Sequence, residues 1–87
     1  MYKVEVILTN ETGLHARPAS LLVKEASKYV SEIKLIKADR EYNAKSIMGI
    51  LSMGANKGTK LTIAAEGRDE KAAVMGLKAL VDRGFSE

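Results

Sequence analysis

The sequence has no cysteine, no tryptophan, a single histidine, a single proline and a single phenylalanine. Without cysteine, neither a disulfide framework nor a thiolate metal site can hold the fold, so a hydrophobic core must. One histidine leaves no basis for a zinc site, and neither metal nor cofactor is expected. No apolar run approaches the roughly 18 residues of a membrane span, and the first ten residues read as a charged, alternating strand rather than a signal peptide. The expectation is a cytoplasmic protein without membrane insertion. Fourteen basic residues are interleaved with eleven acidic ones. No arginine-rich or aromatic-interleaved tract accompanies the net charge of +3, so direct nucleic-acid binding is not expected. A mildly basic surface suits acidic protein partners, where complementary charge raises the encounter rate.

The 87 residues are expected to form one domain, 1–87, and a monomer. Tyr2, Val4, Val6 and Leu8 alternate with Lys3 and Glu5, giving a strand that ends near Thr9. Thr12 and Gly13 break that pattern. From Ala16 the apolar residues Ala19, Leu22, Val23, Ala26 and Val30 recur at helical spacing, which predicts a helix over about 16–28. Residues 32–37 and 40–43 read as a hairpin turning at Ala38-Asp39. Ser46 is placed to cap a short helix through about Ser52, stopped by Gly54. Residues 60–66 alternate again, and Asp69 is placed to cap a last helix ending near Gly84. The order βαββαβα predicts an α+β, two-layer open-faced sandwich, a four-stranded antiparallel sheet with three helices on one face. Met48, Met53 and Met75 are by default core filler.

One segment stands apart: Gly13-Leu14-His15-Ala16-Arg17-Pro18-Ala19-Ser20, at the handover from strand to helix. Pro18 is tolerated only in a first helical turn, which puts the start near Ala16 and His15 at the N-cap. A helix start offers amide N–H groups without helical acceptors and the positive end of the macrodipole, so it favours an anion such as phosphate. An imidazole is nucleophilic in its neutral form. A phosphoryl group on its ring could be met by the Ala16 and Arg17 amides and the Arg17 guanidinium. A lone histidine at a helix start would otherwise be only a cap.

This segment resembles the phosphorylation-site signature of HPr, the histidine-containing phosphocarrier family of the bacterial phosphoenolpyruvate-dependent sugar phosphotransferase system. The likeness extends over essentially the whole chain. It implies that His15 receives phosphate from Enzyme I on Nδ1 and passes it to a sugar-specific Enzyme IIA domain, with Arg17 assisting. It implies a carrier, not an enzyme with its own turnover. The stretch Asn43-Ala44-Lys45-Ser46-Ile47-Met48-Gly49-Ile50 resembles a second signature of the family, in which the serine is phosphorylated by HPr kinase/phosphorylase in many Gram-positive bacteria. By that likeness Ser46 is a regulatory site, and catabolite control protein A a further partner.

Lys24 and Lys45, with Ile47, Met48 and Leu51, are candidates for the partner-docking surface; the apolar three could instead pack inward. Ser20, the Ala38-Asp39-Arg40 turn and the 83–87 tail depart from common family forms. They bear on the hairpin type and on whether the C-terminal carboxylate reaches Arg17. Two rivals share the same residues: a purely regulatory HPr-like cofactor of a transcription factor, which would not need His15, and a nitrogen-branch paralogue with other partners.

Overall fold

In a computed structural model of the chain, residues 1–86 are described. The elements are β1 (Tyr2–Ile7), α1 (Ala16–Ala26), β2 (Glu32–Lys37), β3 (Arg40–Asn43), α2 (Ile47–Ser52), β4 (Lys60–Glu66) and α3 (Glu70–Asp82). The strands form one antiparallel sheet in the order β1-β4-β2-β3, so the expected open-faced sandwich is the observed one. Registers such as Val6 opposite Leu61 and Leu35 opposite Ile63 align the apolar residues of successive strands on one face. That face buries Val6, Ile33, Leu35, Leu61, Ile63 and Ala65. Ala19, Leu22 and Ala26 of α1, Ile50 of α2, and Val74, Leu77 and Val81 of α3 close over it. Each fully buried leucine or isoleucine stabilises the fold by about 1.5–3 kcal/mol.

Gly76 sits inside α3 for a packing reason. A Cβ there would run into the Tyr29 hydroxyl and lie 2.8 Å from Glu25 Oε2, so the missing side chain lets α1 and α3 approach. At the chain's other turn of α3, Gly84 and Phe85 both have positive φ, and the Phe85 N–H donates to the Leu80 carbonyl at 3.0 Å. This left-handed ending tucks the Phe85 ring into the core. Glu87, with its carboxylate, lies outside the described residues, and with it the expectation of a contact to Arg17.

Five expectations are corrected. β1 ends at Ile7 rather than near Thr9, and α1 at Ala26 rather than 28. Val30 leaves the helical stripe and is 74% exposed. Asp69 makes no side-chain cap on α3; its carboxylate instead accepts from the Val30 and Ser31 N–H groups at 3.0 Å each and from the Ser31 hydroxyl at 2.5 Å. These bonds draw residues 30 and 31 out of the α1 direction and tie the entry of β2 to the entry of α3. Glu70 attends to the helix end, accepting from the Gly67 N–H at 3.1 Å. Of the three methionines, only Met53 fills the core; Met48 and Met75 are exposed.

Two predictions follow from local geometry. Ala38 and Asp39 both adopt positive φ, 50° and 69°, the signature of a type I′ hairpin turn. Alanine gains nothing there, so Ala38→Asn should stabilise the fold by about 0.5–1 kcal/mol, read as a higher urea midpoint at unchanged slope. The hydrogen bonds from Ser31 and Val30 hold the Asp69 carboxyl below its ordinary 3.8. A depressed folded value means that its stabilisation is complete well above that pH and is lost as the pH falls through the folded value. Asp69→Asn should therefore lower stability at neutral pH and flatten the acid limb of the stability curve, as measured by urea titrations between about pH 2 and 7.

Candidate functional site

The site begins with how the chain leaves β1. Residues 8–14 are laced to the turn after α2. The Leu8 N–H donates to the Thr59 carbonyl, the Gly58 N–H to the Leu8 carbonyl and the Leu14 N–H to the Ala55 carbonyl, at 3.0, 2.7 and 2.9 Å. Asn10 Nδ2 donates to the Gly13 carbonyl at 2.8 Å and closes the loop on itself. Gly13 has φ +61°, and a Cβ there would press into the Ala55 carbonyl oxygen and lie 2.7 Å from Asn56 Cα. Only glycine supplies both that conformation and that closeness. Leu14, buried, then anchors the chain one residue before His15.

His15 is the N-cap of α1, in extended backbone (φ −83°, ψ −169°), and its ring makes no capping hydrogen bond. The first bond of the helical ladder runs from the Ala19 N–H to the His15 carbonyl, 2.9 Å. Amides ahead of that bond, Ala16's among them, have no acceptor within the helix. Pro18 occupies the third helical position, where its missing N–H costs no ladder bond. No acidic residue lies in the first turn to offset the positive end of the dipole. The exposed imidazole borders a shallow depression of about 150 Å³, walled by Leu14, Ala16, Leu51, Gly54, Ala55 and Asn56. An anion attached to the ring would meet a helix start and an apolar floor. A larger hollow of about 340 Å³, between residues 30–34 and 41–45, includes neither His15 nor a helix start.

The remaining candidates fall into place around α2. Ser46 caps it: the Ser46 hydroxyl oxygen accepts from the Gly49 N–H at 3.1 Å. The end of α2 beside His15 is the other one, carrying Leu51 and Gly54. Ser46 thus lies at the opposite end of α2 from the depression, about 9 Å along the helix at 1.5 Å per residue. Ile50 alone of the helix is buried. Ile47, Met48 and Leu51 are 38%, 72% and 39% exposed, which answers the open question of their orientation in favour of the surface. Lys24 is exposed in the last turn of α1. Lys45 differs: its ammonium donates to the Tyr29 carbonyl at 2.6 Å and is half-buried. Arg17, exposed, stands at the second helical position.

Sequence reasoning missed the wall formed by Ala55 and Asn56. Gly54 signalled a helix stop, but nothing local shows that the following turn packs on residues 8–14. Among the described residues, no three His, Cys, Asp or Glu side chains gather as ligands for a metal ion, and no helix is long and apolar enough to cross a membrane.

The central part of this geometry can be tested by one methyl group. Gly13→Ala should cost about 2–5 kcal/mol, the sum of left-handed strain and overpacking against the 54–56 turn. Urea unfolding would give the cost. The amide resonances of residues 13–16 and 55–56 should move together, because the two segments share the contact.

Residues 2–83 match the family model described as the PTS HPr component phosphorylation site. Phosphocarrier protein HPr of Mycoplasma capricolum is 46% identical over 78 residues, covering 90% of this chain and 88% of that protein. Among solved structures, HPr of Thermoanaerobacter tengcongensis superposes with a TM-score of 0.97 at 46% identity, covering 100% of this chain and 98% of that one. The Bacillus subtilis catabolite repression protein Crh, described as a dimer with a swapped domain, superposes with a TM-score of 0.78 at 40% identity, with full coverage of both chains. The fold and these matches agree: the chain belongs to the HPr family of the phosphotransferase system, a family of phosphocarriers rather than catalytic enzymes.

Proposed function

We propose that His15 carries the phosphoryl group, accepting it from phospho-Enzyme I and passing it to sugar-specific Enzyme IIA domains in the cytoplasm. The observation that supports this most directly is the exposed imidazole at the residue where the α1 ladder opens. A lone pair of the ring attacks phosphorus as the bond to the donor breaks; at the acceptor the same P–N bond breaks in turn. No water enters the balance, and none of the chain's groups is needed as a base for one. The Ala16 and Arg17 amides and the Arg17 guanidinium hold the phosphoryl oxygens, so the chain contributes position and electrostatics. On this reading the carrier works as a monomer, since the groups that hold the phosphoryl oxygens all lie at one helix start of a single chain. Ile47, Met48 and Leu51 give partners an apolar footing, and Lys24 and Lys45 add positive charge for acidic rims.

Ser46 is, on this reading, the regulatory site of HPr kinase/phosphorylase. Its phosphate would bring a charge of about −1.5 to −2. The length of α2, about 9 Å, already matches the Debye length of about 8 Å at physiological salt. The charge is therefore felt by a partner seated on α2 more than by the imidazole itself. It slows transfer by repelling acidic partners, and it gives catabolite control protein A a form of the carrier to recognise. A regulatory protein lacking phosphate transfer would have no use for the His15 arrangement, which favours the carrier over that alternative.

Phosphoenolpyruvate, Enzyme I and the chain, followed by intact-mass measurement, supply the test. Wild type should gain one phosphate that is lost on brief acid treatment, and His15→Ala none. With the kinase and ATP instead, wild type should gain an acid-stable phosphate that Ser46→Ala does not. A wild-type chain left unmodified by Enzyme I would remove the carrier reading, and one left unmodified by the kinase the regulatory one.

A further inference from the structure

Among the described residues, β1 is one edge of the sheet, with β4 as its only strand neighbour. Both backbone groups of Leu8, just beyond it, bond toward the β4 side, to Thr59 and Gly58. Backbone groups alternate sides along a strand, so Tyr2, Val4 and Val6 face β4, and the N–H and C=O groups of Lys3, Glu5 and Ile7 point outward from the edge. The side chains of these three residues are exposed on the open face of the sheet. Across β4 they stand opposite Ala64, Thr62 and Lys60. Neither Lys3 nor Glu5 joins an ion pair among the described residues. Ile7 is 53% exposed and Met1 65%. The edge therefore presents unpaired backbone groups, two unpaired charges of opposite sign and uncovered apolar surface.

We propose that this edge pairs with the same edge of a second copy of the chain, antiparallel, about a two-fold axis between the two Val4 residues. An axis through Glu5 would set Glu5 against Glu5, and one through Lys3 would set Lys3 against Lys3. The Val4 register alone compensates the charges: Lys3 of each copy faces Glu5 of the other, Tyr2 faces Val6, and Met1 faces Ile7. It also satisfies the backbone, because Lys3 and Glu5 are both outward residues and form hydrogen-bonded pairs on either side of the axis. A lysine on an edge strand ordinarily discourages pairing. Here the glutamate two residues on makes an antiparallel copy of this strand the one that answers it. A strand of six residues offers far less than the roughly 1,600 Å² of a stable protein interface. The pair is accordingly weak and reversible, an isologous contact that populates at high concentration. None of the residues around the His15 depression belongs to this edge, so two paired carriers keep both sites open.

The experiment is a charge exchange. Sedimentation equilibrium and amide hydrogen exchange are run on the wild type from micromolar to millimolar concentration. Association should appear toward the upper end, with protection at Lys3, Glu5 and Ile7 rising with concentration. Lys3→Glu alone and Glu5→Lys alone each set like charges opposite one another twice, and should weaken association about tenfold or more. The double variant restores opposite charges and should return it to within about threefold of wild type. Thermal melts of each variant ensure that loss of folding is not read as loss of pairing. A wild type that stays monomeric at millimolar concentration overturns the proposal. So does a dimer indifferent to the single reversals, or one that persists for hours after dilution, as an exchanged-strand dimer would.

Discussion

The lacing of residues 8–14 onto the turn after α2 is the contact on which the rest of the molecule depends. It brings a loop from the first strand against a turn from the middle of the chain, across about forty to fifty residues of sequence, and it fixes the point at which α1 can start. Gly13 makes the approach possible and Leu14 locks it, so His15 emerges with no freedom in the backbone behind it. The same contact closes the core, because Leu8, Leu14, Met53 and Ala55 are buried together at this end of the sandwich. Site and fold therefore share one set of interactions, and the price of moving the histidine is paid in stability.

α2 shows how a weak element can hold a position. Six residues are too few for a helix to persist by its own ladder. Ile50 buries fully, and the Ser46 cap adds about 1 kcal/mol. The Lys37 ammonium donates to the Met53 carbonyl at 3.0 Å, and Lys45 reaches Tyr29 on the opposite side. The helix is held at both ends by groups outside it, which leaves Met48 and its apolar neighbours facing outward. Charge is divided in the same way: Lys24 lies exposed, whereas Lys45 is engaged with the chain itself.

Most of the architecture is legible from period alone. Alternation at Tyr2, Val4, Val6 and Leu8 and the helical stripe from Ala19 to Ala26 both report burial against a single face, and burial is what these patterns encode. The N-terminal events at His15 and Ser46 are equally local, since proline, glycine and serine act on their immediate neighbours. Three features escaped because their causes are distant. Asp69 bears every local mark of a helix cap, yet residues 30 and 31, nearly forty positions earlier and at the start of the neighbouring strand β2, compete for its carboxylate. Val30 continues a helical spacing that the same bonds interrupt. Ala55 and Asn56 carry no motif, and their role comes wholly from the loop that lands on them.

The shallowness of the His15 depression bears on tempo. The depression is open to solvent, and its wall at Ala55 is tied by hydrogen bond to Leu14, so among the described residues no element covers the histidine. Enzymes that must shut around a substrate are bound to microsecond or millisecond motions of their loops. A carrier that uses His15 as proposed would need no such interval in its cycle. Its rhythm would then be set by how often partners collide in the right orientation and how quickly they part, quantities governed by surface charge and concentration rather than by the interior of the fold.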